Sequence, residues 1–324
     1  MCKIIVVTPV KNEAWILDRF LSVTSQFADL IIIADQNSTD GSLDIYPLYP
    51  KVHLINNDSV SFNEASRQLL LLETARRLVP DNKRIILALD ADEILSANSV
   101  GSFGWQRMLE APVGTILYFE KPDLYITPLN ALRQENLWPL GYVDDGAEHT
   151  PAKIHSIRIP RPPYAADLYL NDIVAMHYSL TRVEAQNAKM QFYSMLENIL
   201  HQGHFLARRF KYGYNFDSFI KNSKLEKTPP EWFKGWEDLG IDMTTIPRAS
   251  SFWYDEEALK LFSLYGYRKF WVDNIWERNW PQLAKEMNML VAINKPPGIL
   301  RAALAVLDRM YIGWKTLRRL LKKR

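Results

Sequence analysis

The chain has 324 residues, 48% of them hydrophobic, and its 39 Lys and Arg against 37 Asp and Glu leave a formal charge of +2. This content fills the core of one large or two ordinary domains, and the near-balance of charge does not point to nucleic acid as a partner, so any attraction to an anionic surface must be local. A single cysteine, Cys2, excludes an intrachain disulfide and points to a reducing compartment, by default the cytoplasm.

The opening "MCKIIVVTPV" is too short for a signal-peptide core and is interrupted by Pro9, so it reads as a first strand. Residues 13–26 carry Ile16, Leu17, Phe20, Leu21 and Val23 at helical spacing. "ADLIIIAD" is a second strand ending at Asp35, and Ser38, Thr39 and Asp40 are N-cap candidates for a short helix after it. "KVHLIN" is a third strand, 63–79 a longer helix closed by Pro80, and "KRIILALD" a fourth strand. Strands alternating with helices imply an α/β fold with a mostly parallel sheet, whose ligands bind beyond the carboxyl ends of the strands. Polar residues gather at those ends: Lys11, Asn12 and Glu13, then Asp35, then Asp90 and Asp92.

From 113 to 180 the pattern loosens, with "GTILYFE" and "DIVAMHYSL" as strands around a segment rich in Pro, Tyr and acidic residues. Beyond 181 the chain turns helical, 181–201 being the clearest case. No stretch approaches the roughly 18 consecutive apolar residues of a spanning helix. The expected division is therefore 1–180, changing character between 112 and 113, followed by a helical region 181–324.

"RIILALDADEIL" poses a question of charge. Asp90, Asp92 and Glu93 stand almost in contact at the end of a buried strand, which destabilises the fold unless a cation neutralises them. Alternation sends Asp90 and Asp92 to one side and Glu93 elsewhere. Paired carboxylates suit Mg2+ or Mn2+, which in turn suits a diphosphate.

The ordered set "VTPVKNEAWILDRFL", "ADQNSTDGS" and "LALDADEIL" resembles the family 2 glycosyltransferases with the GT-A fold, strongly over the first hundred residues and more weakly to His177. The resemblance implies a nucleotide-sugar donor bound by 1–112, Mn2+ or Mg2+, and a saccharide or lipid-linked acceptor met by 113–180. It places Pro9 and Glu13 in the nucleotide-facing loop, Asp35 on the donor's base, Arg67 near the donor, and Asp90 and Asp92 as the D-x-D pair. The second of that pair would coordinate the metal and the first would face the ribose or the metal's waters. His177 is the third metal ligand of this reading. For the general base that deprotonates the acceptor hydroxyl, "YVDDGAEH" offers Asp144 and Asp145, ahead of Glu148. Here the second loop reads Asp35-Gln36-Asn37-Ser38, with Asn at a place where glycine is usual; Asn tolerates positive φ.

Each residue also has a plainer reading. Asp90 and Asp92 could form a solvated turn, Glu13 and Asp35 helix or loop caps, His177 a core histidine, and Arg67 a surface ion pair. The other histidines lack zinc-type spacing, and no G-x-G-x-x-G is present. A metal-dependent nucleotidyltransferase and a non-catalytic nucleotide-sugar-binding protein stand as alternatives to the transferase.

After Pro296-Pro297-Gly298, an apolar stripe runs from Leu300 through Leu304, Leu307, Tyr311, Trp314 and Leu317 to Leu321. Eight basic residues accompany it against one acidic, Asp308. Two readings stay open: a peripheral helix in the inner membrane face, or a helix docked on the protein's own core.

Overall fold

The structure is a computed structural model and describes residues 2–56, 64–80, 83–133, 135–152, 156–200, 203–214, 219–220, 223–249 and 251–321. The chain divides into two units, Met1–Thr181 with Lys224–Pro247, and Arg182–Ser223 with Arg248–Arg324. Residues 224–247, which the sequence reading gave to the helical region, thus belong to the first unit.

The first unit is a mixed α/β structure. Its strands are β1 (Cys2–Val10), β2 (Leu30–Asp35), β3 (Val52–Asn56), β4 (Lys83–Ala88), β5 (Glu93–Leu95), β6 (Thr115–Glu120), β7 (Asp123–Tyr125), β8 (Thr127–Arg133), β9 (Trp138–Asp144), β10 (Ala166–His177) and β11 (Lys224–Lys227). Among the described residues they join in the order β11-β8-β7-β10-β6-β9-β4-β1-β2-β3, with β5 on β10. The four strands expected from apolar runs, β1 to β4, pair in parallel. Strand β9 enters between β4 and β6 antiparallel to both.

The near-continuous apolar character of β1 follows from burial on both faces. Ile4 and Val6 pack with Ile16, Leu17 and Phe20 of helix α1 (Ala14–Thr24), while Ile5 and Val7 pack on the other face near Leu71, Leu72 and Ala75. Those last three come from α3 (Glu64–Leu78), which follows the short helix α2 (Ser42–Ile45). Pro9 interrupts no ladder bond to β4, because β1 pairs with that strand only as far as Val7. The N-cap of α2 is Gly41 at φ 94°, one residue beyond the three expected candidates, and Asp40 instead accepts from the Ser42 amide at 3.1 Å.

Besides the pairing of β11 with β8, side-chain hydrogen bonds bind the returning segment to this unit. Trp236 donates its indole N–H to the Leu95 carbonyl at 2.8 Å, Tyr178 its hydroxyl to the Met243 carbonyl at 3.0 Å, and Arg19 its Nη2 to the Thr245 carbonyl at 2.6 Å.

The second unit is helical, with Val183–Ile199, Phe205–Arg209, Trp253–Tyr265, Trp280–Glu286 and Gly298–Leu321 as its helices. Phe262 packs edge-on against Phe270 and Trp280 in its core. Asp273, fully buried there, is neutralised by Arg208 at 2.7 Å and bonded by Asn198 at 2.6 Å.

Candidate functional site

The chain builds β1, β2 and β3 outward in one direction and then places β4 on the other side of β1. The strand order reverses between β1 and β4, and a crevice at such a switch point is where doubly wound sheets bind ligands. The loops after β1 and β4 flank that crevice.

Loops one and two are stitched together by short polar side chains. Ser38 accepts from the Asn12 amide at 2.8 Å, Asn12 accepts from the Thr39 amide at 2.7 Å, and Ser42 accepts from the Glu13 amide at 3.2 Å. Asn12 and Asn37 take φ of 55° and 53°, so the second loop keeps the positive-φ turn expected of Asn37. Asp35 is buried, and its two oxygens accept from the Ser38 amide at 2.8 Å and the Tyr46 hydroxyl at 2.6 Å. Burial first, then this bond to Asp35, raises the pKa of Tyr46 and keeps it a donor. Glu13 accepts from the Trp15 indole at 2.6 Å, and Arg67 donates to the Gln36 side chain at 3.3 Å. Pro9, Glu13, Asp35 and Arg67 thus cluster around the carboxyl ends of β1 and β2.

After β4 the structure departs from the expected alternation. The strand stops at Ala88, and Asp90 and Asp92 sit beyond it in a turn that β5 follows. Glu93, expected to point elsewhere, is fully buried at the centre of the cluster. It accepts from Lys121 Nζ at 2.5 Å and from Arg158 Nη1 and Nη2 at 2.5 and 3.0 Å, and from the Asp90 amide at 3.0 Å. Burial opposes the charge of Glu93, but Arg158 and Lys121 outweigh it and hold the carboxyl well below the usual range. Arg158 also donates to Asp90 at 2.6 Å. The cation that the acidic run requires is therefore supplied in large part by the protein, through Arg158 and Lys121.

Asp92 takes a different partner. Antiparallel pairing of β10 with β5 sets His177 opposite Glu93, and the Tyr178 amide donates to the Asp92 carbonyl at 2.8 Å. His177 Nε2 consequently lies 3.5 Å from Asp92 Oδ2, while Nδ1 is 2.5 Å from Asp123 Oδ1. Burial and the nearby Lys121 oppose a proton on this imidazole, yet Asp92 and Asp123 prevail and raise its pKa to about 9.

This donor set can be tested against a divalent cation. Among the described residues, no three His, Cys, Asp or Glu side chains gather as a metal cage. Mg2+ in phosphate chemistry does not need one, since one or two carboxylates with phosphate and water oxygens suffice. Asp92 fits that requirement; His177, protonated between Asp92 and Asp123 at neutral pH, would join it only by giving up its Nε2 proton in exchange for the metal, with Asp123 on the far ring nitrogen as the outer partner. Asp90, assigned to the metal from sequence, is engaged by Arg158 and fits the set less well.

Asp144 and Asp145 are not brought to this site. Because β9 runs antiparallel to β4, Asp144 lies opposite Arg84 at the amino end of that strand. Six residues at about 3.3 Å each separate that level from Asp90. There Asp144, buried, accepts from Arg76 at 2.7 Å and Arg84 at 2.9 Å. Asp145 accepts from the hydroxyls of Tyr142 at 2.5 Å and Tyr164 at 2.9 Å. Burial pushes the Asp145 carboxyl up less than these bonds bring it down. Both aspartates are thus bonded within the fold at the amino end of β4, apart from the turn that carries Asp90 and Asp92.

Lys121, Asp123 and Arg158 escaped the sequence reading. Their signals were faint: a charged pair flanking Pro122 at a strand end, and an arginine between Ile157 and Ile159.

Compared with known proteins, the chain matches no protein-family model and no curated protein.

Proposed function

We propose that this chain is a metal-dependent glycosyltransferase of the GT-A type. It moves a sugar from a nucleoside-diphosphate donor to an acceptor hydroxyl. The observation that carries this reading is the approach of His177 to Asp92, with Asp123 behind it, at the reversal in strand order. The loop after β1 and the buried Asp35 stand on the neighbouring strand ends, where the resemblance puts the nucleoside.

Asp92 and His177 would hold Mg2+ or Mn2+, which when bound neutralises charge on the departing diphosphate. Asp35, held by Ser38 and Tyr46, offers a fixed anionic edge for a base or ribose. In the reaction the donor's C1–O bond to diphosphate breaks and the acceptor oxygen bonds to C1. The hydroxyl proton passes to a base, and direct displacement inverts the anomeric centre.

A second reading, a protein that binds nucleotide sugars without transferring them, draws on the position of Asp144 and Asp145 away from this edge. One experiment separates the two. Incubation with a panel of nucleotide sugars and Mn2+ should release nucleoside diphosphate by slow hydrolysis, and Asp92→Asn should abolish the release. A metal-dependent thermal shift without release from any donor or acceptor would favour the binding protein, and neither signal would remove both readings.

A further inference from the structure

The helix Gly298–Leu321 contacts its own unit along one narrow line. Leu304 is buried, Asp308 receives Arg209 through two bonds of 2.8 and 2.6 Å, and Tyr311 packs edge-on against Phe210 at 5.8 Å between ring centres. This line settles one question left by the sequence: Leu304 and Tyr311 dock, but most of the apolar stripe does not.

The undocked face is apolar. Ile299, Ala303, Val306, Met310, Trp314, Leu317 and Leu321 recur at steps of three and four residues and so share one side of the helix. Ile299 is 88% exposed, Met310 66%, Leu317 57% and Leu321 63%. No charged residue interrupts that spacing. Arg301, Arg309, Lys315 and Arg318 lie off it, and the Arg318 guanidinium stands 5.3 Å from the centre of the Trp314 ring, at the rim of the stripe.

Charge decides what covers this face. The helix carries five basic residues and one acidic, and that acid, Asp308, is already matched by Arg209. The sequence adds Lys322, Lys323 and Arg324. A second copy of the helix would oppose like charge to like charge, with no carboxylate of its own to answer it. An anionic lipid surface answers both properties: the stripe enters the acyl boundary, Trp314 sits at headgroup level, and the basic residues meet the phosphates. Among the described residues no helix is long and apolar enough to cross a membrane, so the helix would lie in the surface plane.

We propose that Gly298–Leu321 is a membrane-surface helix that binds the chain to bilayers containing anionic lipid. The inference is independent of the chemistry assigned to the first unit.

The test is sedimentation of the full-length protein with vesicles of phosphatidylcholine, with and without phosphatidylglycerol. The expected result is about tenfold or more bound protein with the anionic lipid, falling as salt is raised. Replacing Met310→Glu together with Leu317→Glu should remove binding while leaving the thermal midpoint unchanged, because both side chains are exposed. Equal recovery with both lipids, no recovery with either, or undiminished binding by the double variant would overturn the proposal. So would a dimer of the native chain that the double variant dissolves, since a second copy would then cover the stripe.

Discussion

Arg158 and Glu93, 65 residues apart in the chain, meet through two hydrogen bonds, Nη1 to Oε2 at 2.5 Å and Nη2 to Oε1 at 3.0 Å. The same guanidinium reaches Asp90, so one side chain ties the turn after β4 to the segment before β10. Arg158 thereby acts as an internal counter-ion that, with Lys121, keeps Asp90 and Glu93 compatible with a closed fold.

Replacing Arg158→Met should leave Glu93 buried with Lys121 as its remaining cation, at a loss of roughly 3 kcal/mol. Denaturant unfolding would measure it. Adding Glu93→Gln should recover part of that loss; an unchanged midpoint in the single variant would show the pair to be energetically idle.

Asp123→Asn retains the shape of the side chain but removes the charge that orients His177. If the ring is a metal ligand, Mn2+ affinity should fall about 10- to 100-fold, and metal-free stability at neutral pH should fall too, since Asp123 also helps raise the His177 pKa. Calorimetric titration with Mn2+ alone reads this directly. Equal affinities in the two proteins would take His177 out of the set.

Asp144→Ala strands Arg76 and Arg84 around an empty site and should destabilise the first unit by roughly 3–5 kcal/mol. Donor hydrolysis per folded molecule should stay as it was, because Asp144 stands at the opposite strand edge. A collapse of turnover with normal stability would restore the residue to catalysis.

His149 supplies a pH signature. Burial, then the nearby Arg76, lowers its pKa, and Gln68 lies 3.1 Å from Nε2. A depressed folded-state pKa means that its contribution is complete above the unfolded value of about 6.5 and is lost as pH falls below it. Between about pH 6.5 and pH 5.5 the thermal midpoint of the native chain should fall more steeply than that of His149→Gln, while above about pH 6.5 the raised pKa of His177 works in the opposite direction. A variant with the native slope would place the titration elsewhere.

Strands β1 to β4 were legible because each is an apolar run that stops at a polar loop, and both faces of their sheet are buried. Asn37 was legible too, since its chemistry tolerates the φ of 53° it adopts. Strand β9, "WPLGYVD", hid behind Pro139 and Gly141, and β5 and β7 are only three residues each. The position of Asp144 follows from β9: a sequence orders strands along the chain but does not give their direction, and an antiparallel strand delivers its last residue to the opposite edge. The sequence names Asp92 and His177, and the structure places them 3.5 Å apart. Arg158 and Lys121 carried no comparable signal, because buried cations follow no periodicity and are found only through their partners.

The segment 224–247 returns to the first unit after the chain has already entered the second. No single cut therefore liberates an intact first unit: a break after Thr181 discards the carbonyls of Asp242 and Thr245 that hold Arg19. Recombination at that junction would orphan a buried guanidinium, so the two units should be inherited together, not shuffled as separate modules.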